Sequence, residues 1–196
     1  GNGTISITGV GGVNADGTSH AAGINIYSDS GVHRFITANG GITLNGTAGS
    51  GTQRIIAGIN GDGGTANFTS TAGDITFIGM ASGYGIANSG TFNLGGDGTT
   101  NTTGNVTLIT DQVNAGGTYN FRNTGNISVL SCGTSFSNPF NWDSRFTITG
   151  NKTGFTVGNT TNSQNVTISN AVNVSGPISV YGGNITLSAG LKSTRA

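Results

Sequence analysis

An apolar–hydroxyl–apolar triplet recurs along this chain at nearly even intervals, and that rhythm limits its folds more than any other feature. Thr107, Ser128, Thr147, Thr167 and Thr186 lie 21, 19, 20 and 19 residues apart. Their neighbours are always apolar: Val106 and Leu108, Ile127 and Val129, Phe146 and Ile148, Val166 and Ile168, Ile185 and Leu187. Alternation of period two turns each flanking pair to one face of a strand and the hydroxyl to the other. A repeat of about 20 residues carrying short strands predicts a solenoid, in which each turn of chain buries its apolar face on the next.

The interval before Thr186 gives the clearest single coil. Val166–Ile168, Val172–Val174, Ile178–Val180 and Ile185 follow one another in steps of 6, 6 and 7 residues. Three short strands joined at SNA, SGP and YGG describe a three-sided coil. Glycine and asparagine suit the corners, and Pro177 fits the start of a strand, where its missing N–H is not needed. Stacked at strand spacing, about 4.8 Å, such coils close their backbone hydrogen bonds on one another. The reading is an all-β parallel β-helix of about seven to eight coils, occupying residues 1–196 as a single segment.

The first half carries more thread per turn. Ser6, Thr43, Thr76 and Thr107 are 37, 33 and 31 residues apart. Strands are expected near Ile24–Ile26, Phe35–Ile36, Ile55–Ile59, at a segment ending on Phe68, at Tyr84–Ile86 and at Phe92–Leu94. Residues 1–104 therefore form long coils of 31–37 residues with corner loops, GVNADGTSHA, INGDGGT and GGDGTTNTT, each holding an Asp-Gly turn. Residues 105–196 form short coils of 19–21 residues, interrupted by an irregular stretch at 131–142.

Composition supports strands over helices. There are 37 glycines, 30 threonines, 24 asparagines and 19 serines, and no glutamate. Long-chain helix formers are scarce, while threonine, valine and isoleucine favour strands. A disordered linker has no reason to alternate its apolar residues. Seven basic and seven acidic residues leave a formal net charge of zero. That removes the electrostatic case for binding nucleic acid or an anionic membrane. No apolar run reaches membrane-spanning length. The opening on Gly1, without methionine or signal-peptide pattern, reads as a mature product or an excised piece. The lone Cys132 cannot form an internal disulfide.

The stretch SCGTSFSNPFNW gathers Phe136, Phe140 and Trp142. Either it folds back to pack its rings on the core, or it presents them as an aromatic platform for a sugar or a partner protein. These three are the candidate surface-recognition residues. The seven aspartates, at 16, 29, 62, 74, 97, 111 and 143, show no close pair, though Asp74 would lie over Asp111 or Asp29 if their coils aligned. A catalytic carboxylate pair is therefore not expected. His20 and His33 have no cysteine or glutamate at ligand spacing, and no GxSxG elbow occurs. No cofactor is expected. The oxygen- and glycine-rich runs NADG, GDGG and GGDG make calcium the one metal to test, although ordinary Asp-Gly turns account for them. The Asn-x-Ser/Thr triplets follow from the repeated phrase itself. Outward threonines raise ice binding as a specialised reading, but one hydroxyl per triplet gives no two-column threonine face.

GGITLNGTAG, TAGDITF, TGNVTLIT and above all GPISVYGGNITLSAG followed by LKST resemble the repeat regions of very large bacterial surface proteins. These are the filamentous-haemagglutinin-type adhesins and related glycine- and threonine-rich β-repeat proteins. SFSNPFNWDSRFTITGNKTGFTVGNTTNSQNVTI is similar to the segment that often precedes that closing phrase, so the resemblance spans the chain. It implies a right-handed β-helix exported to the outer surface, serving as stalk, adhesin or matrix fibre, with no shared catalytic residues. The expected partners are neighbouring copies or flanking coils of the same fibre, and glycans or other material on a host, prey or substratum. A carbohydrate-binding or polysaccharide-cleaving β-helix and an ice-binding solenoid are the rival readings.

Overall fold

The structure, a computed structural model, describes residues 2–13, 21–27, 31–50, 57–97, 101–113 and 116–194. Within them the chain forms 20 strands and no helix, and every ladder between strands is parallel. The fold is a parallel β-helix of seven coils.

The first coil runs through β1 (Ile5–Val10), β2 (Ile24–Tyr27) and β3 (Val32–Thr37). The second is β4 (Ile42–Thr47), β5 (Ala57–Asp62) and β6 (Thr65–Ser70), and the third is β7 (Ile75–Met80), β8 (Tyr84–Asn88) and β9 (Thr91–Leu94). The fourth keeps β10 (Val106–Thr110) and β11 (Thr118–Phe121). On its second side a single bridge, Val113 to Ile86, takes the place of a strand. The fifth is β12 (Ile127–Leu130), β13 (Phe140–Trp142) and β14 (Phe146–Ile148). The last two are β15 (Phe155–Val157), β16 (Val166–Ile168), β17 (Val172–Val174) and then β18 (Ile178–Val180), β19 (Ile185–Leu187), β20 (Leu191–Ser193).

The first face is one unbroken sheet, β1-β4-β7-β10-β12-β15-β18. The second is divided into β2-β5-β8 and β13-β16-β19, and the third into β3-β6-β9-β11-β14 and β17-β20. The expected strands of the long coils and of the coil ending at Thr186 form where they are described; of the one expected at Ile55–Ile59, Ile55 and Ile56 lie outside the described residues and β5 begins at Ala57. INGDGGT is not a loop, because Ile59–Asp62 belongs to β5 and Thr65 to β6. Only Gly63 and Gly64 turn the corner, at φ of 72° and 54°, a region open to glycine. Gly98–Thr100 and Asn14–His20, with the Asp16 turn, lie outside the described residues.

The even ruler of the second half needs correction. On the first face Thr107 is followed by Ser128, then by Thr156 and Ser179. Thr147 instead pairs with Asn120 on the third face, while Thr167 and Thr186 follow Asn141 on the second. Coil spacing on the first face is therefore 21, 28 and 23 residues rather than 19–21. All three faces use the same triplet, so its recurrence counts strands without saying which face each belongs to. Likewise Ile168 stacks between Trp142 and Leu187, but Ile148 pairs with Phe121.

Inward positions form one continuous apolar core, from Ile24 in the first coil to Val174 in the sixth. Aromatic rings tie coils together. Phe35 stacks on Phe68 at 4.7 Å, Phe92 meets Tyr119 edge-on at 5.8 Å, and Tyr119 stacks on Phe146 at 5.3 Å. In the long coils the first and second faces also touch backbone to backbone. A Cβ added to Gly46 would lie 2.0 Å from the Gly58 carbonyl oxygen, and one on Gly79 would lie 2.0 Å from that of Gly85. Only glycine permits that approach.

Candidate functional site

The three aromatic candidates are core residues, which corrects the platform expectation. Trp142 is wholly buried, and Phe136 and Phe140 are nearly so. Trp142 stacks on Phe146 at 4.7 Å and meets Phe155 edge-on at 4.8 Å, while Phe140 stacks on Phe136 at 5.1 Å. The cause is strand alternation: β13 turns Phe140 and Trp142 inward and leaves Asn141 exposed. Phe136 enters from the preceding excursion, pinned by its N–H to Asn162 Oδ1 at 3.1 Å. The other reading of the stretch, rings folded back onto the core, describes it correctly.

Among the described residues the carboxylates do not converge. Asp74 sits just before β7 and accepts from the Asn105 N–H at 2.8 Å, whereas Asp111 follows the far end of β10. Six residues of strand, about 20 Å, separate the two positions. Asp29 and His20 lie outside the described residues. His33 contacts the Tyr27 carbonyl through Nε2 at 2.7 Å. Among the described residues no three His, Cys, Asp or Glu side chains gather as metal ligands. Asp62 has a structural partner, accepting from Ser89 Oγ at 3.2 Å beside the Gly63–Gly64 corner.

Two arrays of polar side chains emerge only when the coils are stacked. Outward on the first face, Ser6, Thr43, Thr76, Thr107, Ser128, Thr156 and Ser179 share one register position. The next outward column is mixed: Thr8, Asn45, Ile78, Ile109 and Leu130. On the third face Asn67, Asn93 and Asn120 form a ladder, amide to carbonyl, at 2.6 and 2.9 Å. Thr65, Thr91 and Thr118 run beside it. The corner from the third face back to the first also holds buried polar groups. Ser70, Thr102, Asn123 and Lys152 are all fully buried there. Lys152 donates from Nζ to the Thr149 carbonyl at 2.5 Å, and burial pulls its pKa down to about 8.

One concave polar site was not legible in the sequence. A cleft of about 100 Å³ lies between the fourth and fifth coils, lined by Asp111, Gln112, Val113 and, across it, Asn138, Pro139, Phe140, Asn141 and Arg145. The 131–139 excursion builds its far wall. The Ser137 N–H reaches the Asp111 carbonyl at 3.4 Å, and the Cys132 N–H donates to Asp111 Oδ1 at 2.8 Å. Asn138 Nδ2 donates to Gln112 Oε1 at 3.0 Å. Arg145 grips Asp143 with two bonds of 2.8 Å. Burial alone would raise the Asp143 pKa, but these bonds outweigh it and hold the carboxyl below its usual range. The Cys132 thiol, pushed up to about 11 by burial and then by the Asp111 charge, is poorly suited to act as a nucleophile.

No family model, curated protein or solved structure matches this chain. Its functional reading therefore rests on its own geometry: a continuous stack of coils, an outer face of aligned hydroxyls, and the cleft at Asp111 and Asn138.

Proposed function

We propose that the chain is a structural and adhesive segment of a bacterial extracellular fibre or surface adhesin, acting as a rigid stalk or surface-contact module without catalysis. One observation carries this reading: seven coils share one parallel register, and the outermost described strands pair on one side only. Among the described residues β1 pairs only with β4, and β18, β19 and β20 each pair on one side. Side chains at inward register positions are exposed there, Ile7 at 36% in the first coil and Leu187 at 57% in the last. Both ends carry the same apolar–hydroxyl–apolar triplet, Ile5-Ser6-Ile7 and Ile185-Thr186-Leu187. An open strand edge of this kind invites further strands. Flanking coils or a second copy can continue the stack, and a head-to-tail contact of that type generates filaments.

Sedimentation velocity and electron microscopy over rising concentration test the reading. Rods that lengthen along the solenoid axis are expected, and Ile7→Lys or Leu187→Lys should shorten them. A chain that stays monomeric at high concentration and releases reducing ends from polysaccharides would replace the structural assignment with an enzymatic one.

A further inference from the structure

We propose that the cleft between the fourth and fifth coils is a subsite for one ring of an uncharged saccharide, recognised through adjacent hydroxyls. The proposal rests on the adhesive reading above and gives it a contact point. Three polar groups at the cleft keep hydrogen-bonding capacity. Asp111 Oδ1 takes the Cys132 N–H, and its Oδ2 has no hydrogen bond among the described residues. Gln112 spends Oε1 on Asn138, which leaves its amide hydrogens to donate. Asn138 spends Nδ2 in that same bond and keeps Oδ1 to accept. The bond across the gap holds both amides in place before a ligand arrives, so little side-chain freedom is lost on binding. Two acceptors and a donor in one cleft suit neighbouring sugar hydroxyls, each of which both gives and receives a hydrogen bond.

The rest of the wall fits the same class. Pro139 is exposed beside the cleft and Val113 is partly buried, so apolar surface is available to the C–H face of a ring. Charge argues against acidic sugars. Arg145 is matched by Asp143, and Asp111 adds a carboxylate to the cleft, so the local balance is negative. The volume, about 100 Å³, lies below the usual range for small-molecule sites. The cleft therefore takes the edge of a single ring. One site should bind only in the millimolar range, and repetition along a fibre would supply the rest through effective concentration.

The test combines side-chain amide NMR with a glycan array. Methyl glucoside, galactoside, mannoside and N-acetylglucosamine are titrated to about tens of millimolar, as a millimolar Kd requires, while the Gln112 and Asn138 amide signals are followed. The array is read with the monomer and with a streptavidin-linked tetramer, for the unchanged protein and for Gln112→Ala and Asn138→Ala. Asn138 is exposed and Gln112 is half-buried at the cleft, and circular dichroism checks that both variants fold. The expected result is a shift of both amides with at least one neutral sugar, together with tetramer binding to neutral glycans that falls about tenfold or more in each variant. Glycan binding that survives both substitutions would overturn the cleft and leave the adhesive reading standing. Binding confined to sialylated or sulfated glycans would overturn the ligand class. No amide shift and no tetramer binding would remove both the cleft and the glycan-contact part of the function.

Discussion

Ile168 shows how much depends on a single inward position. It is fully buried and stacked between Trp142 and Leu187. Ile168→Asp places an uncompensated charge in a narrow apolar prism, and a loss of more than about 4 kcal/mol is expected. An unchanged thermal melt followed by circular dichroism would contradict the columnar core. Lys152 makes the opposite case, a polar residue already inside. Burial lowers its folded pKa from 10.5 to about 8, so the folded state disfavours the charged form. The resulting penalty is fully present below pH 8 and is relieved as pH rises towards the unfolded value. It amounts to up to about 3 kcal/mol. Lys152→Met should therefore raise the melting temperature at pH 7, and its advantage over the unchanged protein should shrink between pH 8 and 10.5. Comparing the two proteins at each pH removes the opposite trend from Cys132. Its raised folded pKa makes it lose stabilisation above pH 9.

At the scale of the coil, glycine decides how closely faces approach. Gly46 has the Gly58 carbonyl where a Cβ would stand, whereas Gly133 has nothing within 4 Å. Gly46→Ala should cost more than about 2 kcal/mol, because backbone atoms must part. Gly133→Ala should change the denaturant midpoint little, and equal effects would contradict the tight packing of β4 on β5. The Asp62 corner carries a different expectation. Gly63 turns with positive φ and its N–H is held by Ser89 Oγ at 2.9 Å, so glycine geometry and a side-chain hydrogen bond support the turn. EDTA should leave the melting temperature within a degree or two. A large drop restored by calcium would mean that a bound ion stabilises the native chain.

Across the whole molecule, an unbroken aromatic stack reinforces the neighbour-to-neighbour contacts on which a solenoid depends. Phe68 meets Phe77 at 4.7 Å, Phe77 meets Phe92 at 5.8 Å, and the contacts continue through Tyr119 and Phe146 to Trp142 and Phe155. The second to sixth coils should unfold as one unit. Trp142 is the only tryptophan, so its fluorescence reports the fifth coil, while far-ultraviolet circular dichroism reports all strands. The two melting curves should superimpose. A tryptophan transition well apart from the dichroism transition would show that the ends and the middle unfold separately.

Alternation and recurrence, both local properties, determined that this chain forms short parallel strands with apolar pairs inward. Val166–Ile168, Val172–Val174, Ile178–Val180 and Ile185–Leu187 were readable residue by residue because a period of two needs no knowledge of neighbours. Which strands stack was decided by the fold. Thr147 and Thr156 are both flanked by Phe and an aliphatic residue, Phe146 with Ile148 and Phe155 with Val157. Only the path of the 131–139 excursion places the first on the third face and the second on the first face. The same path buried Trp142 and brought Asn138 to 3.0 Å from Gln112, 26 residues earlier. Contacts between coils depend on the summed lengths of the corners, and a short repeated phrase carries no record of that sum.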